Sequence, residues 1–497
     1  MKKSQYLLGI DIGSSSVKAA LVNAENGICA GSAFSPETEM DISSPRPGWA
    51  EQNPLDWEFH AKTAIARALQ KGGINSSDIV SIGLTYQMHS LVCLDKAGNV
   101  LRPSIIWCDS RAVETGKRAF ETLGKEFCLE HYLNSPGNFT ASKLRWVKEN
   151  EPGIFEKTDQ VMLPGDWLAF RLTGERSITR SGLSEGIFWD FERTELSADL
   201  LKYYGIPLHM IPPVCDTFGI QGQVTTEASA SFGLPRGIPV SYRAGDQPNN
   251  AFSLKALEPG DIAATAGTSG VVYCVTGIAV YDKQSRVNTF VHVNDAPGHR
   301  RNGVLLCING TGISNSWMRR LCGAAGYEGM NDAAAGIPAG SEGLLVLPFG
   351  NGAERMLNNA NINASFEGID FTRHSQQHMF RAVQEGIAFA FRYGLDIMAG
   401  MEIRPSVIRA GQANLFLSDI FTRTLANLAN LTIELYNTDG ASGAALGSGV
   451  GTGLFGSPDE AFMNLKCIRT VNPDNDRDRI IDCFSQWCEQ LKLKLQK

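Results

Sequence analysis

Residues 6–23 read YLLGIDIGSSSVKAALVN. An apolar run of strand length carries Asp11, breaks at Gly13-Ser14-Ser15-Ser16 and resumes as a second apolar run, the pattern of a hairpin with a small-residue tip. A carboxylate inside a strand that ought to be buried is costly unless it is paired, hydrated or bound to a cation. Asp11 is therefore expected to face a wet cleft or to work there. A tip of Gly and Ser offers bare backbone N–H groups and hydroxyls, which suit an anionic oxygen. An acid beside such a tip can hold Mg2+ next to phosphates.

The pattern recurs in residues 261–277, DIAATAGTSGVVYCVTG, where Gly267-Thr268-Ser269 forms the tip. One hairpin per half predicts two related domains, and 497 residues exceed the roughly 250–300 that one core supports. The stretch 234–252, LPRGIPVSYRAGDQPNNAF, is rich in Gly, Pro and Asn and reads as a linker. It places the domain boundary between 1–253 and 254–497.

Between the hairpins the patterning is mixed α/β. A helix is expected near Asp56–Lys71, strands at IVSIGLTY (79–86) and LVCLD (91–95), and a loop around Met88 and His89 joins the two strands. LRPSIIWCDSRA (101–112) reads as a strand entering a helix capped by Asp109 or Ser110. FTASKLRWVKENEP (139–152) reads as a helix stopped by Pro152. Later come an apolar helix over 378–401 with Gly386 inside it, then a strand, glycine turn and amphipathic helix over 407–431. A close-packed glycine-rich helix is expected within 438–455.

Composition narrows the function. Forty-five basic and 52 acidic residues give a net charge of -7 with no long basic block, so nucleic acid is not an expected partner. The first residues lack a signal peptide's apolar core, and no apolar run approaches the roughly 18 residues of a membrane span. Eleven scattered cysteines without a CxxC pair argue against a disulfide framework or a zinc site. A cytoplasmic protein without a membrane partner is expected. Neither a P-loop GxxxxGK[ST] nor a dinucleotide-binding GxGxxG is expected in the chain, which disfavours a P-loop NTPase or an ordinary Rossmann enzyme.

Several residues carry candidate chemistry. RAGDQPNNA (243–251) sets Asp246 after a strand beside Gln247, Asn249 and Asn250. It is either a turn builder or a general base that takes a hydroxyl proton as the oxygen attacks a phosphoryl group. His89 is either a satisfied loop histidine or a contact to substrate hydroxyls, with Met88 as an adaptable apolar wall. Trp107 is either a core aromatic or a sugar platform, with Asp109 and Arg111 close behind it. Asp11, Met88, Trp107 and Asp246 all fall near strand ends, where α/β clefts collect ligands.

In chain order, GIDIGSSSVK, QMHSLVCLD, VLRPSIIWCDSR, FTASKLRWVKEN, the GDQ of 245–247, TAGTSG, LPFGNGAERM and RAGQANLFL together resemble the FGGY carbohydrate kinases of the actin-like ATPase superfamily. The resemblance spans nearly the whole chain. It implies an α/β fold of two ribonuclease-H-like domains, with mixed sheets flanked by helices and a cleft between them. It also implies ATP with Mg2+, and transfer of the γ-phosphate to a terminal hydroxyl of a small sugar. The pair Met88-His89 after Gln87 resembles the xylulose-directed branch more than the glycerol-directed one, which carries Arg-Glu there. D-xylulose is thus expected ahead of L-ribulose, L-xylulose, sedoheptulose or a glycerol-like polyol.

Carried over by position, the resemblance makes Asp246 the base and Asp11 the acid near Mg2+, with Asp246 also beside the metal. Met88, His89, Trp107, Asp246 and Gln247 would line the sugar site. Ser14, Ser15, Gly267 and Thr268 would hold phosphates, with Gly312, Gly411 and Asn414 near the nucleotide. The implied partners are sugar and ATP, and a homodimer stays open. Three departures stand out: Arg409-Ala410-Gly411-Gln412 where glycines are usual, GDQPNN where the turn is usually richer in glycine, and Gln384 where an apolar residue is usual. A rival reading, an actin-like ATPase acting as chaperone or filament, would keep both hairpins and bind no sugar.

Overall fold

The computed structural model describes residues 4–496. The chain forms two compact units. The first comprises Met1–Lys255, Phe290–Asn302 and Thr438–Leu465; the second comprises Ala256–Thr289, Gly303–Asn437 and Lys466–Lys497. The units are thus not two consecutive stretches of sequence.

The first unit is built on a six-stranded mixed sheet. Its order is Phe218–Gln223, Pro239–Gly245, Ile79–Tyr86, Tyr6–Ile12, Val17–Asn23, Cys29–Ser35. Tyr6–Ile12 and Val17–Asn23 form the expected hairpin, with Ile12 opposite Val17 and Asp11 opposite Lys18. Ile79–Tyr86 and then Pro239–Gly245 add in parallel. Every core position of the hairpin from Leu7 through Val22 is closed to solvent, which fixes its register.

Helix Pro54–Gly72 packs on the outer strands Val17–Asn23 and Cys29–Ser35. Helix Gly440–Gly451 packs on the three central strands. Its approach is close enough to require glycine on the sheet: a Cβ at Gly9 would stand 1.8 Å from Ala441 O, and one at Gly83 would stand 1.9 Å from Ala444 O.

The second unit repeats the design in a seven-stranded sheet. Its order is Asn288–Val291, Asn302–Ile308, Gly270–Thr276, Asp261–Ala266, Val407–Gly411, Thr432–Tyr436, Cys467–Val471. Asp261–Ala266 and Gly270–Thr276 make the second expected hairpin, with Ala266 opposite Gly270. In both sheets the hairpin's first strand pairs on its other edge with a parallel strand, and a second parallel strand follows. The core gathers Ile262, Leu306, Leu347, Phe391 and Leu435 around helix Gln376–Ala399. Trp487, on the helix Arg477–Leu495, is fully buried there and donates to Val346 O at 2.8 Å.

Three local expectations are corrected. Residues 234–252 are no linker: Pro239–Gly245 is a buried strand and Asp246–Ser253 a helix. Neither Asp109 nor Ser110 caps the following helix, which begins at Val113 without a side-chain cap. Asp109 is instead spent on Ala50 N–H and on Arg111. The helix Thr140–Asn150 does stop ahead of Pro152, as expected, and Pro152 opens a short helix of its own, Pro152–Lys157, where its missing N–H costs nothing. The sequence also spells GxGxxG once, at Gly451, Gly453 and Gly456, but there it ends a helix and so lacks the strand-to-helix setting of a dinucleotide fingerprint. Among the described residues no helix is long and apolar enough to cross a membrane.

Candidate active site

In the first unit the candidate residues gather at the C-terminal ends of three neighbouring strands. Asp11 sits one residue before the end of Tyr6–Ile12, and Met88-His89 follows Ile79–Tyr86. Asp246 follows Pro239–Gly245 and is the first residue of the helix Asp246–Ser253. Parallel pairing of the strands brings these ends side by side.

Burial drives the electrostatics. Asp11 is pushed up to about 6, first by desolvation, with Lys18 opposing and the charge of Asp439 adding. Asp246 is pushed up to about 7, again first by desolvation and then by the charge of Asp11, while hydrogen bonds from Gln247 pull back. Asp439 is the N-cap of the helix Gly440–Gly451, accepting from Ser442 N–H at 2.8 Å. A Cβ at Gly440 would stand 2.8 Å from Asp11 Oδ2, so a larger residue there would press on that carboxylate.

The loop after Ile79–Tyr86 is held from several sides. Gln87 donates from its backbone to Ile12 O at 2.8 Å and from Nε2 to Gln52 Oε1 at 3.0 Å. Met88 is buried. His89 adopts a left-handed backbone with φ 61°, and its Nδ1 lies 2.9 Å from Glu185 O. Its ring packs edge-on to Phe139 and tilted against Phe290. Trp107 is 52% exposed, and its indole N–H reaches Ser14 Oγ at 3.5 Å. An exposed tryptophan beside the hairpin tip is available as a platform. Ser14 O accepts from Gln52 Nε2 at 2.7 Å, and Ser15, itself exposed, takes Met40 N–H on its carbonyl at 2.7 Å.

Two buried groups here, Lys143 and Glu185, carried no role in the sequence reading. Lys143, closed to solvent on the helix Thr140–Asn150, donates to His89 O at 2.8 Å and Ile106 O at 2.9 Å. Desolvation pulls it down to about 7, with Asp109 the largest opposing charge. Glu185 is also fully buried, and desolvation and the charge of Asp246 hold its carboxyl well above the usual range. A Cβ on Gly245 would stand 2.4 Å from Glu185 Oε2 and 2.6 Å from Met88 Cγ, so the backbone leading to Asp246 runs over this acid. Arg111 lies 3.8 Å from the Trp49 ring centroid and pairs with Asp109 and Glu51 at 2.6 and 2.7 Å, bracing the turn that carries Trp107.

In the second unit the hairpin tip is locked to a helix start: Gly312 N–H donates to Gly267 O at 2.9 Å and Ile313 N–H to Thr268 O at 3.0 Å. A Cβ at Gly312 would stand 2.2 Å from Gly267 O. Gly267, Thr268, Gly312 and Asn414 line one cavity of about 930 Å3, together with Arg320, Tyr327, Asn331, Asp332 and Ser418. That size suits a nucleotide. Gly411 closes the strand Val407–Gly411 and is not among the lining residues. The nearby Arg409 is spent on ion pairs with Asp261 at 2.7 Å and Glu434 at 3.0 Å. Glu354, buried and raised to about 7 by desolvation, accepts from Asn309 and Gly310 N–H at 3.1 Å each and so holds the turn before Gly312.

Comparison with known proteins divides the chain into two consecutive stretches. Residues 6–253 match the N-terminal domain of the FGGY family of carbohydrate kinases, and residues 262–450 match its C-terminal domain. A xylulose kinase of Bacillus subtilis is 30% identical over 466 residues, 92% of this chain and 90% of that protein. An L-xylulose/3-keto-L-gulonate kinase of Escherichia coli is 29% identical over 99% of this chain and 98% of its own. Among solved structures, the xylulose kinase of Rhodospirillum rubrum superposes with a TM-score of 0.86 at 27% identity, covering 99% of this chain and all of that one.

Proposed function

The chain belongs to the FGGY family of carbohydrate kinases, and on that premise we propose that it transfers the γ-phosphate of ATP to the terminal hydroxyl of D-xylulose, giving the 5-phosphate and ADP. Asp246 carries the reading. It is a carboxylate at a strand end, poised near neutrality, with Met88-His89 at the end of the adjacent strand and Asp11 on the strand beyond that. Asp246 takes the proton of the attacking hydroxyl; the oxygen forms its bond to the γ-phosphorus as the bond to the β-phosphate oxygen breaks. Positioning and charge neutralisation do most of the work in such transfers, so a weak base suffices.

Met88, His89, Trp107 and Gln247 would hold the sugar. Ser14 and Ser15 would meet phosphate from the first unit, and Gly267, Thr268, Gly312 and Asn414 would hold the nucleotide in the second. Gly411 contributes the strand end that leads to Asn414. Magnesium is usually bound by one or two carboxylates, with phosphate and water completing its shell. Asp11 and Asp246 would supply those carboxylates, ionising as the cation offsets the burial and mutual repulsion that raise them. When bound, the ion would neutralise phosphate charge. A cytoplasmic setting fits eleven cysteines that form no disulfide among the described residues.

A coupled ADP-release assay over pentuloses, heptuloses and polyols tests the reading. D-xylulose should stimulate release most. A stronger response to another sugar reassigns the substrate, and ATP turnover indifferent to every sugar removes the kinase reading.

A further inference from the structure

Gln384, polar where the resemblance leads to the expectation of an apolar residue, has a definite place in the structure. It lies on the helix Gln376–Ala399, fully closed to solvent, so it cannot touch a ligand in the cavity. Its Nε2 donates to Asn331 Oδ1 at 3.0 Å, and its Oε1 accepts from the Ser418 hydroxyl. Asn331 sits on the helix Tyr327–Ala335, and Ser418 caps the helix Asp419–Ala429, its oxygen taking Phe421 N–H. Both residues line the 930 Å3 cavity. One buried amide therefore bridges two separate elements of the cavity wall.

A buried amide is retained at a cost unless both its ends are paired, and here both are. The pairing also fixes the orientation of Asn331. With Oδ1 committed to Gln384, the Nδ2 N–H groups are left for a ligand's acceptor atoms. An apolar residue at 384 would leave the Asn331 amide free to turn and the Ser418 hydroxyl without its acceptor.

We propose that Gln384 is a positioning residue for the nucleotide, setting the orientation of Asn331 and its spacing from Ser418 across the cavity. The proposal rests on the reading of this cavity as the nucleotide site. Its action passes through Asn331, which makes it separable from a general contribution to packing.

The test is ADP binding by calorimetry, without sugar, to wild type, Gln384→Met, Asn331→Ala and the double variant. Gln384→Met should weaken ADP about tenfold, the size expected for loss of one well-placed polar contact. The double variant should bind no worse than Asn331→Ala alone, because coupled residues are not additive. The KM for sugar should stay within about twofold. Gln384→Asn, an amide too short to span both partners, gives an independent reading in the same assay.

Unchanged ADP affinity in Gln384→Met, or additive losses in the double variant, overturns the proposal and leaves the kinase reading intact. Collapse of both 384 variants to unfolded chains makes the residue a core element and overturns it likewise. A wild type that binds no ADP removes the nucleotide reading and this proposal together. A wild type that binds ADP but phosphorylates no ketose removes only the sugar assignment.

Discussion

Lys143 Nζ donates to the backbone carbonyl of His89 at 2.8 Å, and the same ammonium reaches the carbonyl of Ile106. One buried charge thus ties the loop carrying Met88-His89 to the turn carrying Trp107. Replacing it by the near-isosteric methionine removes both bonds while filling the space. Lys143→Met is expected to raise the sugar KM about tenfold or more, as loss of charge-assisted hydrogen bonds implies. The ATP KM should stay near its wild-type value. Steady-state kinetics with each substrate varied in turn checks this, and a rise in the ATP constant alone would contradict it.

Asp246 must be ionised to accept a proton, and burial holds it at about 7. The wild-type rate at low sugar concentration is therefore expected to fall as pH drops through about 7. Asp246→Asn should lower turnover by about a hundredfold or more, within the usual range for loss of a general base. Sugar binding, followed by calorimetry, should persist. An activity profile flat from mildly acid to mildly alkaline conditions would speak against this base.

The same group has a stability consequence of opposite sense. Its folded pKa lies above the ordinary 3.8, so between those values the folded protein binds more protons than the unfolded chain and loses stability as pH rises. Above about 7 the whole penalty is present. Asp246→Asn should therefore melt higher than wild type at neutral pH, by roughly 1–2 kcal/mol after allowance for partial solvent exposure. The gain should vanish in acid.

Gly312 leaves no room for a side chain against Gly267 O. Gly312→Ala is expected to push the hairpin tip from the helix start, costing about 1–3 kcal/mol of stability. The ATP KM should rise while the sugar KM holds. Thermal melts and kinetics together separate this from a general loss of active enzyme.

Much of this arrangement is legible in the sequence alone. The two hairpins were readable because alternating apolar runs flank tips of small residues, a local signal that tertiary context rarely overturns. Asp11 and Asp246 stood out as acids at the edges of apolar strands. The segment around Pro239 was misread because Gly, Pro and Asn composition resembles a loop. Pro239 in fact opens its strand, where a missing N–H is tolerated, and Asn249 is buried with its amide on Gly440 O at 2.9 Å. Lys143 and Glu185 were silent for another reason: nothing local distinguishes a buried charge from a solvated one on a short helix. Their meaning comes from carbonyls and carboxyls brought in from distant sequence.

The helix Gly440–Gly451 covers the strands Tyr6–Ile12, Ile79–Tyr86 and Pro239–Gly245, fitted against Gly9 and Gly83. During synthesis the first strand of this sheet leaves the ribosome long before the element that will cover it. One face of the nascent sheet must wait, wet and sticky, for almost the whole message to be read. Fragments ending before this helix should therefore precipitate rather than fold.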